Sequence, residues 1–227
     1  HVEAGLRSGN LYSPYPEEAN RKLTGIMTDF HFAPTEESRE NLLKEGYPDE
    51  KIFITGNTVI DALKYVTKEN YKFDIELLNN LDYKKKKVIL VECHRRENLG
   101  EPMENIFKAL RDIVDAHEDV EIVFPMHLNP KVRETANGIL KDHSRIHLLE
   151  PLDYESMANL MSKIYLVVTD SGGFQEEAPT FGKPVLVVRE ETERPEGIEA
   201  GTAKLVGINY DNVFKEIDIL LSNSQEY

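Results

Sequence analysis

The chain has 227 residues, 40% of them hydrophobic and 30% charged, and a formal net charge of -14 from 41 acidic against 27 Lys and Arg residues. That acid excess excludes broad binding to nucleic acid or to anionic membranes, which needs a basic surface, and no apolar run reaches the ~20 residues of a membrane span. The single Cys93 excludes an internal disulfide and fits a reducing, cytoplasmic setting.

In chain order, Pro16 followed by Glu17 and Glu18 predicts a helix start. Thr35 followed by Glu36 and Glu37 predicts a capped one. Lys51–Thr55 reads as a strand. The stretch from Lys68 to Lys87 breaks the rhythm: it is rich in Lys, Asn and Asp and ends in the run Lys84–Lys87, a solvated lead-in to the next strand. Beyond it, Val88–Glu92, Val120–Met126, Arg145–Leu149, Tyr165–Thr169 and Val185–Arg189 read as strands, several of them near-continuously apolar, as strands covered on both faces are. Helical patterns lie between them, the clearest an apolar stripe of Ile106, Leu110, Ile113 and Val114. Strands alternating with helices imply right-handed crossovers and a parallel, doubly wound α/β sheet. The expected division is 1–67 as the last portion of a first domain with one clear strand, 68–82 as a linker, and 83–227 as a second, nearly complete domain.

In such sheets ligands sit beyond the carboxyl ends of the strands. Three polar clusters occupy such positions: His94-Arg95-Arg96-Glu97-Asn98, Thr169-Asp170-Ser171-Gly172-Gly173, and Glu190 to Gly197. Ser171, Gly172 and Gly173 would let a backbone approach a phosphate at the start of the next helix; the plainer reading is an ordinary N-cap turn. Glu177, one turn into that helix, would accept ribose hydroxyls, or is a solvent-facing acid. His94 is the general acid/base candidate by type and place, against a histidine merely hydrogen-bonded at a strand end. Glu3 and Glu17 are the other acid/base candidates; the plain alternative for Glu17 is an acid favoured at a helix N-terminus. His127-Leu128-Asn129-Pro130 lines a cleft or caps the following helix. Neither G-x-G-x-x-G nor G-x-x-x-x-G-K-[ST] is present, which leaves dinucleotide and NTPase readings without a motif. No H-x-x-x-H or C-x-x-C spacing suggests a metal.

The motifs His1–Arg7 (HVEAGLR), Pro16–Arg21 (PEEANR), His94–Asn98 (HRREN), His127–Pro130 (HLNP), Thr169–Pro179 (TDSGGFQEEAP), Gly182–Leu186 (GKPVL) and Thr192–Gly197 (TERPEG) run in order along essentially the whole chain. Together they resemble the non-hydrolysing UDP-N-acetylglucosamine 2-epimerases. The resemblance implies two Rossmann-like domains with parallel sheets facing a nucleotide-sugar cleft, a GT-B-like architecture shared with one large class of glycosyltransferases. It implies elimination of UDP to an enzyme-bound 2-acetamidoglucal and re-addition with the proton returned to the opposite face, and no cofactor. It implies catalytic roles for Glu3, Glu17 and His94. The diphosphate falls to Ser171, Gly172 and Gly173, the ribose to Glu177, the flanks of the uridine to Leu152 and Met157, and a place near the substrate to Arg194. UDP-N-acetylglucosamine is the implied substrate and, in many bacterial members, an activator at a second site; a cytoplasmic homodimer serving polysaccharide biosynthesis is the implied setting.

The departures are specific. The family's opening strand, its Thr-Arg-Pro-Glu-type loop and a catalytic Asp have no counterpart in the 227 residues, nor does its closing C-terminal helix, so the resemblance implies a piece with a truncated N-terminal domain and little turnover of its own. Met157 stands where Phe is usual. Glu92-Cys93 precede His94 where Thr and a small residue are common, and an inward Glu92 would raise the His94 pKa. The alternatives are a hydrolysing 2-epimerase, a glycosyltransferase of the same architecture, and a nucleotide-sugar binder without turnover.

Overall fold

The computed structural model describes residues 1–12, 15–192 and 194–227. They divide into two compact units: His1–Lys64 with Thr192 and Arg194, and Tyr65–Glu191 with Pro195–Tyr227.

In the first unit, helix α1 (Glu17–Ile26) starts where Pro16 and the two glutamates predict it. Strand β1 (His31–Ala33) leads to α2 (Glu36–Lys44), whose Thr35 cap accepts a hydrogen bond from the Ser38 N–H. Strand β2 (Ile52–Ile54) pairs in parallel with β1, and α3 (Thr58–Val66) follows. The opening residues join this sheet: Val2 bridges to Phe32, and the Ala4 N–H donates to the Phe32 carbonyl at 3.0 Å. The core is small, built on Ala4, Ala33, Leu42 and Ile52. Gly5 has φ +88°, and a Cβ there would lie 2.1 Å from the Ser38 carbonyl oxygen, so only glycine lets the chain pass α2 this closely.

In the second unit, α4 (Glu76–Asn80) precedes β3 (Lys87–Glu92), α5 (Glu101–Ala116), β4 (Val120–Pro125), α6 (Pro130–Leu140), β5 (Ile146–Leu149), α7 (Tyr154–Lys163), β6 (Leu166–Thr169), α8 (Gly172–Glu177), β7 (Val185–Val187), α9 (Pro195–Glu199), β8 (Ala203–Leu205) and α10 (Tyr210–Ser222). All six strands are parallel, in the order β5-β4-β3-β6-β7-β8. This is the doubly wound Rossmann order, with its reversal between β3 and β6. Alternate residues of β3 feed opposite layers. Ile89 and Val91 pack with Ile106, Leu110, Ile113 and Val114 of α5 and with Ile217 of α10. Val88 and Leu90 pack with Leu160 and Met161 of α7 and with Val167 and Val185. Both faces of every central strand are therefore apolar, which is why these strands read as continuous apolar runs. Among the described residues no helix is long and apolar enough to cross a membrane.

The stretch expected as a linker, 68–82, is packed instead. Phe73 and Leu78 are buried in the layer that holds Val88 and Leu90, with Tyr71, Ile75, Leu77 and Leu81 against it. The Lys, Asn and Asp residues dominate the composition there, but the apolar anchors between them decide the packing. Strands β1 and β8 were not among the predicted elements.

Candidate active site

The reversal between β3 and β6 puts two loops side by side, the position where such sheets bind ligands. Register pairs Glu92 with Thr169 as the last residues of the two strands. The loop after β3 carries Cys93, His94, Arg95 and Asn98, and the loop after β6 carries Asp170, Ser171 and the first turn of α8. Asp170 is fully buried and joins the two. Its carboxyl oxygens accept the backbone N–H groups of His94 (3.0 and 3.1 Å) and Arg95 (2.9 Å), the Asn98 Nδ2 (2.9 Å) and the Cys93 Sγ (3.1 Å). Asn98 also donates to the Val188 carbonyl at 3.0 Å, which ties in the end of β7. Burial and the neighbouring Asp170 push the Cys93 thiol up, so it is no nucleophile at neutral pH.

His94 is half-buried, and its Nδ1 is hydrogen-bonded to Glu92 Oε1. The Thr169 hydroxyl donates to the other Glu92 oxygen at 3.0 Å. Glu92 thus points inward, the orientation in which it would raise the His94 pKa. The hydrogen bond to Glu92 raises the His94 pKa, burial opposes it, and the charges of Glu92 and Asp170 add to the rise. The His94 ring stacks on His127, with centroids 4.9 Å apart and planes 13° from parallel. Carboxylate and imidazole atoms of Glu92, His94 and Asp170 lie within 4.8 Å of one another, and the bonds just described engage them in a hydrogen-bonded network.

Beside this network lies a cavity of about 490 Å³, lined by Glu92, His127, Leu128, Leu152, Tyr154, Met157, Phe174 and Glu177, among others. It gathers three of the residues picked from sequence, Leu152, Met157 and Glu177. Its volume and apolar lining with few polar groups suit a nucleoside-sized ligand. Aromatic rings come from Tyr154 and Phe174 where Met157 supplies none. Asn129 caps α6, accepting the Lys131 N–H at 3.1 Å, so the HLNP segment both lines the cavity and starts a helix. Asp153 caps α7 through the Ser156 N–H, which fixes the helix that carries Met157. Ser171 makes no side-chain cap on α8; its N–H instead donates to Thr169 Oγ1 at 2.9 Å. A Cβ on Gly173 would meet Glu177 Oε1 at 3.2 Å, so the glycine leaves room beside that carboxylate. Gly172 is buried in the same turn. Sequence reading missed Asp170 as the hub of this site; its signal was only its place between the strand end and Ser171.

In the first unit, Glu3 has φ +62°, a left-handed conformation uncommon for a side chain of this kind. Its carboxylate accepts from Asn57 Nδ2 at 3.3 Å and lies 3.5 Å from the Arg194 guanidinium. The loop is held by neighbours in its motif: Arg7 grips Glu45 through two hydrogen bonds of 2.8 Å. Of the paired glutamates on α1, Glu18 is buried and accepts the Ser8 N–H at 3.1 Å, whereas Glu17 is exposed. Of the two carboxylates, Glu17 is thus the one at the surface. Glu193 and the Ser13-Pro14 pair, within or next to the motifs, lie outside the described residues.

The family model described as UDP-N-acetylglucosamine 2-epimerase matches residues 1–227. The UDP-N-acetylglucosamine 2-epimerase of Bacillus subtilis is 53% identical over 227 residues, 100% of this chain and 59% of that protein. The Escherichia coli K12 enzyme of the same name is 52% identical over 232 residues, 100% of this chain and 62% of that protein. The S. aureus MnaA–UDP co-structure superposes with a TM-score of 0.94 at 54% identity, over 100% of this chain and 61% of that one. The Neisseria meningitidis UDP-GlcNAc 2-epimerase bound to UDP-GlcNAc superposes with a TM-score of 0.88 at 45% identity, over 100% and 62%. The chain thus spans about 60% of the length of these relatives and shares their parallel α/β architecture. By sequence and by fold, this chain belongs to the UDP-N-acetylglucosamine 2-epimerase family.

Proposed function

We propose that the full-length protein is a non-hydrolysing UDP-N-acetylglucosamine 2-epimerase that reversibly interconverts UDP-N-acetylglucosamine and UDP-N-acetylmannosamine. In the forward elimination the C2 proton is removed and the C1–O bond to UDP breaks, leaving 2-acetamidoglucal; re-addition re-forms C1–O and returns the proton to the opposite face of C2. The observation that supports this reading is the cavity at the carboxyl ends of the strands, an apolar nucleoside-sized space lined by Glu92, the hydrogen-bond partner of His94, and by Phe174 and Glu177 of α8. Leu152 and Met157 flank the uracil, Glu177 takes the ribose, and Ser171, Gly172 and Gly173 take the diphosphate. His94 moves a proton in the reaction. Family resemblance assigns catalytic carboxylates to Glu3 and Glu17 and a substrate contact to Arg194; the strained backbone of Glu3 and the exposure of Glu17 are consistent with those roles.

The same reading places the protein in the cytoplasm as a homodimer feeding polysaccharide biosynthesis, with UDP-N-acetylglucosamine as activator as well as substrate. The 227 residues, about 60% of the length of the relatives, turn over little or no substrate by themselves in this reading. The test is incubation of full-length protein with UDP-N-acetylglucosamine in deuterated water. Label at C2 and UDP-N-acetylmannosamine are the expected products. Net release of free N-acetylmannosamine would identify a hydrolysing enzyme, and UDP binding with no label would identify a binder. His94→Ala should abolish exchange while UDP binding stays within about tenfold; unchanged exchange removes His94 from its role.

A further inference from the structure

We propose that Glu92 is a positioning residue for His94: together with Thr169 it fixes the ring's orientation and tautomer, holding Nδ1 and leaving Nε2 as the atom that exchanges protons with the substrate. The inference rests on the epimerase reading of this site and adds to it a residue that neither the motifs nor their resemblance assigned.

Glu92 closes β3, and only 15% of its side chain is exposed. Each of its oxygens has a partner. Oε1 is bound to His94 Nδ1, and Oε2 accepts the hydroxyl of Thr169 at 3.0 Å. Thr169 is itself fully buried at the end of the neighbouring strand. The carboxylate is therefore clamped from two strands, and the imidazole inherits its orientation. A carboxylate on Nδ1 selects the Nδ1–H tautomer in the neutral ring, so Nε2 carries the lone pair that accepts a proton and the N–H that returns it. Nε2 has no hydrogen-bond partner among the described residues, whereas Nδ1 does.

The other groups facing His94 do not replace Glu92. The Asp170 carboxyl lies 3.8 Å from Nδ1, but its oxygens accept the N–H groups of His94, Arg95 and Asn98. Arg95, on the same loop, opposes a positive ring. His127, from the loop after β4, offers a stacked ring. Glu92 is thus the principal counter-charge, in keeping with the direction in which the His94 pKa moves. The clamp also matters for the ligand. Glu92 lines the cavity, and a carboxylate with both oxygens engaged presents less free charge to a diphosphate than one left open.

The experiment uses the full-length protein as wild type, Glu92→Gln and Thr169→Val, with two readouts. The first is NMR titration of the His94 ring in ligand-free protein. The wild type should show the Nδ1–H tautomer, Glu92→Gln should titrate at lower pH, and Thr169→Val should shift the same way by less. The second is the pH dependence of epimerisation. In Glu92→Gln, kcat should fall by about tenfold while KM for UDP-N-acetylglucosamine stays within about twofold, and the limb that reports His94 should move to lower pH. A purely structural role would lower the amount of folded enzyme without moving that limb. An unmoved titration and tautomer in both variants of an active enzyme overturns the Glu92 inference alone. A wild type without C2 exchange overturns the epimerase reading and, with it, any part for Glu92 in that reaction.

Discussion

Replacing Asp170 with Asn removes one charge and one acceptor from a group that is fully buried and surrounded by donors. The amide can keep its oxygen at the Oδ2 position, where Arg95 N–H (2.9 Å), Asn98 Nδ2 (2.9 Å) and Cys93 Sγ (3.1 Å) converge. Its NH2 then sits at the Oδ1 position, facing the His94 N–H that lies 3.0 Å away. Hydrogen bonds to a charged group are worth about 1.5–3 kcal/mol and neutral ones about 1 kcal/mol. The N–H donors of His94, Arg95 and Asn98 therefore lose about 1 kcal/mol each, or about 3 kcal/mol together. For a domain of this size that lowers Tm by about 6–12 °C. Thermal and urea unfolding of the full-length variant measure it. A loss below about 1 kcal/mol refutes the view that Asp170 holds the two loops together. A double-mutant cycle with Asn98→Ala should return a coupling of about 1 kcal/mol or more, since the two side chains share one bond.

The raised His94 pKa makes a pH prediction with a definite sign. The folded state keeps its proton to higher pH than the unfolded chain, whose histidines titrate near ~6.5. This contribution to stability is complete below ~6.5 and is lost as pH rises through the folded-state value, so urea midpoints of wild type should fall towards those of Glu92→Gln over that window; parallel curves refute it. Gly5→Ala combines a Cβ 2.1 Å from a carbonyl oxygen with φ +88° and should cost on the order of 3 kcal/mol; a wild-type unfolding midpoint would be the contrary result. Gly173→Ala sets a Cβ 3.2 Å from Glu177 Oε1 and should raise the Kd for UDP by about tenfold, with stability within about 1 kcal/mol of wild type. Isothermal titration calorimetry reads that Kd, and an unchanged value refutes the placement of the diphosphate at this turn.

Much of the second unit was legible in the sequence because its strands are long and apolar on both faces. Val88–Glu92, Val120–Met126 and Tyr165–Thr169 were found to within a residue or two at either end, and the stripe of α5 is buried throughout. Strands β1 and β8 were invisible for a physical reason. Each has three residues, and His31 or Lys204 breaks the apolar pattern. His31 is nonetheless buried, its ring 4.4 Å from that of Tyr47. At the candidate site, the sequence marks His94, Ser171 and Glu177 as candidates because they stand just past strand ends or in the first helical turns. The role of Asp170 was not, because its partners lie 72 to 77 residues away and no local pattern encodes such a bond. Glu92 departs from the family's pattern in the sequence, but its bond to His94 is visible only in the structure.

The strand order has a consequence for how the second unit comes apart and together. Strands β3, β4 and β5 come from one contiguous stretch, and β6, β7 and β8 from the next. A single seam of backbone pairing, from Ile89–Leu166 to Glu92–Thr169, joins the two halves, and α10 braces it from behind by packing into the layer of α5. A chain cut between β5 and α7 would yield two pieces, each with one sticky edge, β3 or β6, that fits the other. Reassembly of such a split protein would restore the His94 loop only when β6 docks beside β3, because Asp170 reaches that loop from across the seam. Recovery of the proposed UDP binding would then report on the zipping of the sheet itself.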